Sequence, residues 1–244
     1  MTRRLGLSAA VAALVAATLA TGTGPANAAD PTYGAPVVGQ CFDMDVEELA
    51  ANSYVEAPVD CAGTHTARTI VVAQLPADLT YDRFAPLTRF ALKTCFPEQR
   101  KVLRTSMLGM RLSAYNIGYF IPTPEQQAAG ARWLRCDLVL GGASLEPLPA
   151  KLALGKPPYK KSVSRCLTGR DFRLTVCSDK HTFRATAAIK VKASRYPSEK
   201  AWKRIGTQRC RSAVTSRSYR FGWPSKAAWK SGDRALICYS KTRR

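Results

Sequence analysis

The segment Cys61-Ala-Gly-Thr-His65 returns later in the chain as Cys177-Ser-Asp-Lys-His181, and these contain the only two histidines of the sequence. A second motif, G-x-R-x-L-x-C, also occurs twice, as Gly130-Ala-Arg132-Trp-Leu-Arg-Cys136 and Gly232-Asp-Arg234-Ala-Leu-Ile-Cys238. Each half carries one further Cys before the first motif and one between the two motifs. Two motifs repeated in the same order indicate an internal duplication of a unit with four Cys and one His.

The duplication sets the predicted domain boundaries. The first unit is expected at residues 33–140 and the second at residues 160–241. Residues 141–159 are rich in Gly, Pro and Lys and show no sustained hydrophobic period, which is typical of a linker. Whether the two units pack together or move on this linker is left open by the sequence.

Each unit has the same predicted secondary structure. Strand-like runs at residues 69–73 and 187–191 follow the C-x3-H motifs. Apolar residues at helical spacing come next, namely Phe84, Leu87, Ala91 and Cys95 in the first unit and Trp202, Ile205, Cys210 and Ala213 in the second. The last motif is predicted to form a closing strand. The expected fold is α+β, with two tandem disulfide-stapled units that each contain an antiparallel sheet and one helix.

Eight cysteines form an even set, which in an oxidising compartment predicts four disulfides. Four cysteines per unit allow three pairings, which the sequence does not separate. We favour the pairing of first with second and third with fourth, because a helix Cys bound to the closing strand would join the two layers. The favoured disulfides are Cys41–Cys61, Cys95–Cys136, Cys166–Cys177 and Cys210–Cys238.

Residues 1–28 are predicted to be a signal peptide. A positive start at Arg3 and Arg4 precedes an apolar run, and small residues at Ala26 and Ala28 predict cleavage after Ala28. An uncleaved membrane anchor is the alternative, but the apolar run falls short of the roughly 20 residues that span a bilayer. The mature protein is therefore expected to be secreted, in an extracellular or cell-wall-associated location.

The order of these motifs resembles the septum formation-related domain family of actinobacterial exported and membrane-anchored proteins. The resemblance rests on Val38-Gly39-Gln40-Cys41-Phe42-Asp43, the C-x3-H motif, a helical Cys and the pattern Pro-x7-Gly-x-Arg-x3-Cys, and it covers most of the mature chain, once per copy. It implies a link to cell division or the cell wall and no known catalytic chemistry. In this family an acidic residue often follows the His by three positions, where this chain has Arg68 and Arg184.

The two histidines are candidate bases or ligands, but His65 and His181 each stand alone, without a nucleophile motif or paired carboxylates. A structural role beside a disulfide is predicted for both, and for the motif residues Arg132 and Arg234. Zinc bound by Cys61, His65 and further cysteines is the alternative, which we disfavour because exported thiols oxidise. The sequence therefore predicts a protein that is not an enzyme and has no metal or cofactor.

Charge divides sharply between the two units. The chain has 37 basic and 17 acidic residues, a net charge of +20. Residues 29–150 contain 10 basic and 13 acidic residues, a net charge of −3, whereas residues 151–244 contain 25 and 4, a net charge of +21. Because two copies of one fold carry net charges of opposite sign, the fold itself does not require the positive charge of the second unit. Such a field recruits polyanions by releasing their counterions.

The predicted polyanion-binding residues are Lys200, Lys203, Arg204, Arg211, Arg217, Arg220 and Trp223. The preferred partner is an anionic cell-wall polymer such as teichoic acid. Extracellular nucleic acid is the main alternative, because aromatics beside Arg can stack on bases. Septal proteins and a peripheral anionic membrane surface are further possible partners, a merely solvated charged face is the structural alternative, and a cell-wall enzyme is least favoured. Trp229 is expected in the core.

Overall fold

The computed structural model of the protein describes residues 30–242. The predicted signal peptide and its cleavage site after Ala28 lie outside the described residues. Within this range, no helix combines the length and the apolar character that a membrane crossing requires. The described chain forms two antiparallel sheets with helices packed against them, so the predicted α+β class is confirmed.

The first sheet has five strands in the order β1-β2-β4-β3, with β5 paired to β4. Its strands are β1 (Cys41–Phe42), β2 (Ala67–Gln74), β3 (Tyr115–Phe120), β4 (Trp133–Gly141) and β5 (Leu145–Glu146). The predicted strand at residues 69–73 lies inside β2. Every residue of the central strand β4 is buried, as both of its faces are covered.

The second sheet also has five strands, in the order β7-β6-β8-β10-β9. They are β6 (Arg165–Thr168), β7 (Arg173–Val176), β8 (Phe183–Lys190), β9 (Tyr219–Gly222) and β10 (Ala235–Lys241). The predicted strand at residues 187–191 begins four residues earlier than expected, at Phe183. The β6-β8-β10-β9 order of this sheet repeats the β1-β2-β4-β3 order of the first.

A bulge occurs at the same place in both sheets. Ile70 in β2 and Thr186 in β8 are skipped by the pairing with β4 and β10, next to Cys136 and Cys238. Bulges bend a strand and are specific local features. Because the bulge is repeated, the two units are similar in the register of strand pairing as well as in strand order.

One long helix packs on each sheet, as predicted, and shorter helices join them. The first unit contains α1 (Val46–Leu49), α2 (Phe84–Leu103), α3 (Met107–Leu112) and α4 (Pro124–Ala128), and the second contains α5 (Glu199–Arg211) and α6 (Lys226–Lys230). The inner stripe of α5 is Trp202, Gly206 and Cys210, at a spacing of four. The expected stripe of α2 is wrong at Phe84, which lies at the helix start and is 72% exposed.

All four favoured disulfides are confirmed: Cys41–Cys61, Cys95–Cys136, Cys166–Cys177 and Cys210–Cys238. In each unit the second bond joins the long helix to the closing strand, β4 or β10. A disulfide that closes such a loop contributes about 2 to 4 kcal/mol to stability. Four disulfides are also consistent with an extracellular location.

The two units pack directly against each other. The Ala114 amide donates to the Val163 carbonyl, and Arg165 Nε donates to the Ser113 carbonyl, 2.9 Å away. Residues 141–159, expected as a linker, run along this contact: Leu148 is buried, and its amide donates to the His65 carbonyl. Apolar side chains of this segment therefore take part in the first unit's core.

Candidate functional site

The two C-x3-H motifs fold in the same way. Nδ1 of His65 lies 2.9 Å from the Gly63 carbonyl oxygen, and Nδ1 of His181 lies 2.6 Å from that of Asp179. Because a carbonyl oxygen only accepts, Nδ1 carries the proton and Nε2 is left as the acceptor nitrogen. Each imidazole thus hydrogen-bonds the backbone of its own C-x3-H loop, and the His181 ring also lies beside the Cys166–Cys177 disulfide. The structural role of both histidines stays a prediction.

The second copy of the C-x3-H motif contributes to a cluster of three side chains of the kinds that bind metal ions. The side-chain ligand atoms of Cys166, Cys177 and His181 lie within 4.8 Å of one another. The two sulfurs are joined in a disulfide, whereas zinc binds the thiolate form of Cys. This cluster therefore offers a metal one imidazole nitrogen, which is too few ligands for a structural zinc site.

Both arginines of the G-x-R-x-L-x-C motif bind backbone. Arg132 Nη2 donates to the carbonyls of Pro76 and Leu79, at 2.8 and 2.9 Å. Arg234 donates to the Ala193 carbonyl and lies over the Trp229 ring, 4.3 Å from its centroid. Arg132 thus stabilises the loop that follows β2, and Arg234 stabilises the loop that follows β8. Trp229 is 4% exposed, and its predicted place in the core is confirmed.

The predicted polyanion-binding residues of α5 lie on its outer face. Lys200, Lys203, Arg204 and Arg211 are all exposed. Lys203 Nζ makes an exposed ion pair with Glu199, 2.7 Å away. An exposed pair of this kind contributes little to stability and leaves the lysine accessible. The outer face of α5 therefore presents a row of cations, with one of them partly neutralised.

Arg220 and Trp223 lie apart from the outer face of α5, in a groove of about 750 Å³ that Lys203 also borders. The Arg220 guanidinium stands 3.6 Å above the Phe172 ring centroid. Trp223 stacks on the buried Trp202, with ring planes 7° apart. The groove thus combines cations with aromatic rings, but these rings already have partners inside the protein.

Arg217 is separated from both of these places. It borders a different cavity, of about 730 Å³, together with His181. The seven predicted residues therefore do not form one site. Lys200, Arg204 and Arg211 lie on the outer face of α5, Arg220 and Trp223 lie in the groove, Lys203 borders both, and Arg217 lies in a separate cavity. Sequence proximity grouped Arg217, which precedes β9, with Arg220 and Trp223, although they border different cavities.

A buried charged network in the first unit was missed by the sequence analysis. Arg135 Nη2 lies 2.8 Å from Asp137 Oδ2, and both side chains are at most 3% exposed. The Thr69 hydroxyl donates to the other carboxylate oxygen, 2.8 Å away. The Arg135 guanidinium is enclosed by three aromatic rings, those of Phe42, Tyr54 and Phe120, with centroids 4.5 to 5.2 Å away.

Burial governs the protonation of this network. It raises the pKa of Asp137, an effect that Arg135 and Thr69 oppose, and it lowers the pKa of Arg135. It also raises the pKa of Tyr54 to about 12. The second unit has Ile237 and Tyr239 at the corresponding positions of β10, so the network is not part of the duplicated frame. Its signal was two charges, two residues apart, within an otherwise apolar strand.

These features define a two-sheet, disulfide-bonded α+β protein with a strongly basic second unit. A family model described as Septum formation matches residues 81–220. This is more than half of the chain, and the protein belongs to that family. The match extends from just before α2 to β9, across the junction of the units. No curated protein and no solved structure matches the chain. Membership supports a septum-related role.

Proposed function

We propose that the protein is an exported, non-enzymatic component of the cell envelope whose second unit attaches to an anionic cell-wall polymer such as teichoic acid. Membership of the Septum formation family supports a place at the dividing envelope. The N-terminal sequence and the four disulfides support export with cleavage after Ala28. The observation that carries the proposal is the difference in charge between two units of the same architecture.

The carboxylates of the second unit do little to screen its cations. Three of its four acidic residues are already paired: Asp233 with Arg111 of the first unit, Glu199 with Lys203, and Asp171 with Arg173. Lys200, Arg204 and Arg211 make no ion pair within residues 30–242. A polyanion laid along α5 would meet these cations without displacing a protein carboxylate.

The groove geometry favours a polyol phosphate chain over nucleic acid. Binding of single strands depends on aromatic rings with a free face for each base. Here one face of Phe172 is covered by Arg220, and one face of Trp223 is covered by Trp202. A base could stack only on the remaining face of each of these partly buried rings, whereas Lys200, Arg204 and Arg211 are exposed. Teichoic acid requires only the cations, because its repeating charge is phosphate.

The two units are proposed to be tandem copies of one family domain in an actinobacterial-type exported protein. The repeated strand order, the bulges at Ile70 and Thr186, and the matching disulfides support a duplication. The two copies now differ in charge, since the second is strongly basic and the first is near neutral. The first offers a separate face to septal partners.

Non-enzymatic action is proposed for a geometric reason. The Nδ1 atom of each histidine is engaged by the backbone of its own loop, and no carboxylate orients either ring within the described chain. A general base of the Ser-His-Asp type has such a carboxylate. The substitution of both His65 and His181 by Gln is therefore expected to leave unchanged any turnover of cell-wall substrates measured with the mature protein.

The test is competition binding of the mature protein to purified teichoic acid and to single-stranded DNA at physiological salt. The triple variant Lys200→Gln, Arg204→Gln, Arg211→Gln is expected to weaken teichoic acid binding at least tenfold. A matched control removes three exposed cations of the first unit, at Arg83, Lys93 and Arg100, and is expected to bind as wild type does. DNA binding tighter than teichoic acid binding would replace the polymer with nucleic acid.

A further inference from the structure

The cavity beside His181 is lined by four cationic side chains, Lys161, Arg184, Arg217 and Lys241. They come from four separate places: the segment before β6, β8, the segment before β9, and the end of β10. None of the residues recorded around this cavity is acidic. None of the four cations makes an ion pair within the described chain. The cavity therefore has a concentrated positive charge without a protein counter-ion.

Hydroxyl groups form the floor of the same cavity. Ser240 is 4% exposed, and its Oγ accepts from the Thr215 amide, 2.9 Å away. Thr215 Oγ1 donates to the same oxygen at 3.2 Å, and Thr186 Oγ1 lies 3.4 Å from it. The hydroxyl proton of Thr186 lies within reach of the Ala213 and Cys238 carbonyls, so these side chains form a linked hydroxyl network at the cavity floor.

The first unit shows that the fold does not need polar groups here. The counterparts of three lining residues are apolar and buried, namely Leu138 for Ser240, Val139 for Lys241 and Ile70 for Thr186. The same positions thus form core in one unit and a polar cavity in the other. Four cations gathered around one cavity repel one another when no anion is bound, and this cost, which the first unit avoids, points to an anionic ligand.

We infer that this cavity is a binding site for a phosphate ester carried on a polyol. Arginine and lysine bind phosphate oxygens through charge-assisted hydrogen bonds, and the hydroxyl floor matches the hydroxyls of a polyol. A volume of about 730 Å³ is ample for one or two polyol phosphate units. The inference rests on the proposed attachment to an anionic polymer. It adds a discrete site that binds one repeating unit of that polymer.

The test is isothermal titration of the full mature protein with three probes. These are glycerophosphoglycerol, which carries a phosphodiester, sn-glycerol 3-phosphate, which carries a monoester, and glycerol. Saturable one-to-one binding is expected for a phosphate probe and not for glycerol. Preference for the diester identifies an internal repeat of the polymer, and preference for the monoester identifies a chain end or a free polyol phosphate.

The pocket variant is Arg217→Gln, Lys241→Gln, which changes two exposed side chains and so preserves the fold. It is expected to weaken binding of the phosphate probe at least tenfold. The matched control is Lys226→Gln, Lys230→Gln on α6, which removes the same charge from the same unit outside the cavity. The control is expected to bind the probe within twofold of wild type.

Two results would overturn the inference: no saturable binding of either phosphate probe, or equal weakening by the pocket and control variants. Either result leaves the proposed function standing if teichoic acid still binds and the α5 triple variant reduces that binding. The converse result is also distinguishable. If the phosphate probe binds one to one, the pocket variant abolishes that binding and teichoic acid does not bind, the site is retained and the polymer attachment is refuted.

Discussion

Arg111 Nη2 lies 2.7 Å from Asp233 Oδ2, and this ion pair joins the helix α3 of the first unit to the segment before β10 of the second. The Asp233 side chain is 4% exposed and that of Arg111 is 15% exposed. Burial lowers the pKa of Arg111, and Asp233 opposes that effect. This largely desolvated charge pair is therefore one of the contacts that join the two units, beside the hydrogen bonds of Ala114 and Arg165.

Arg111→Met is expected to lower the free energy of unfolding by about 3 kcal/mol, because it leaves the Asp233 carboxylate buried without its cation. Urea denaturation monitored by tryptophan fluorescence measures this change. The control is Lys101→Met, which breaks the exposed pair with Glu98 and is expected to cost less than about 1 kcal/mol. Equal effects of the two substitutions would show that the joint between the units is not stabilised by this pair.

Asp137 gives the stability a pH dependence with a defined sign. Burial raises its pKa above the ordinary 3.8, so just above that pH the folded protein holds a proton that the unfolded chain has released. The contribution of Asp137 to the free energy of unfolding therefore falls as the pH rises through this interval and is constant above the folded-state pKa.

Asp137→Asn removes this titration. The difference in unfolding free energy, wild type minus variant, is expected to fall by up to about 1.4 kcal/mol per pH unit from pH 4 upward, and then to level off. Urea denaturation of both proteins between pH 3.5 and 7 measures it. A difference that rises with pH would mean that Arg135 outweighs burial and holds the pKa of Asp137 down.

Gly206 allows the helix α5 to approach β9 closely. A Cβ atom at this position would lie 2.3 Å from Cδ2 of the Phe221 ring. Gly206→Ala is therefore expected to lower the free energy of unfolding by about 1 to 3 kcal/mol through overpacking, although Ala favours helices over Gly by about 1 kcal/mol.

Thermal denaturation measures this effect, and Thr207→Ala, at the adjacent exposed position, is the control that keeps the wild-type midpoint or slightly raises it. A higher midpoint for Gly206→Ala would mean that α5 and β9 are less closely packed than the structure has them.

The repeated cysteines made most of the fold predictable. Their spacing in the two halves identified the units, and the position of Cys95 and Cys210 on an apolar helix stripe was enough to favour the correct disulfides. The two long helices α2 and α5 followed because their buried residues recur every three to four positions, whereas the four short helices were not predicted. Residues 141–159 were harder, because isolated apolar side chains such as Leu148 show no period in a segment rich in Gly and Pro.

The candidate site was less predictable because it depends on long-range proximity. Lys161, Arg184, Arg217 and Lys241 are far apart in sequence, and their convergence on one cavity follows from strand order and register. Local grouping instead joined Arg217 with Arg220, which the structure separates. The buried pair of Arg135 and Asp137 was missed because its signal, two charges within an otherwise apolar strand, does not show which aromatic side chains enclose the pair.

The central claim is that exposed cations of the second unit attach the protein to a polyanion through its phosphates. The most direct measurement is the affinity of the full mature chain for teichoic acid across a salt series, for wild type and for the variant Lys200→Gln, Arg204→Gln, Arg211→Gln. Each lost phosphate contact is expected to make the slope of log K against log salt shallower by about 0.7, so the variant slope is shallower by about 2. An unchanged slope would contradict the claim and leave these cations as solvated surface.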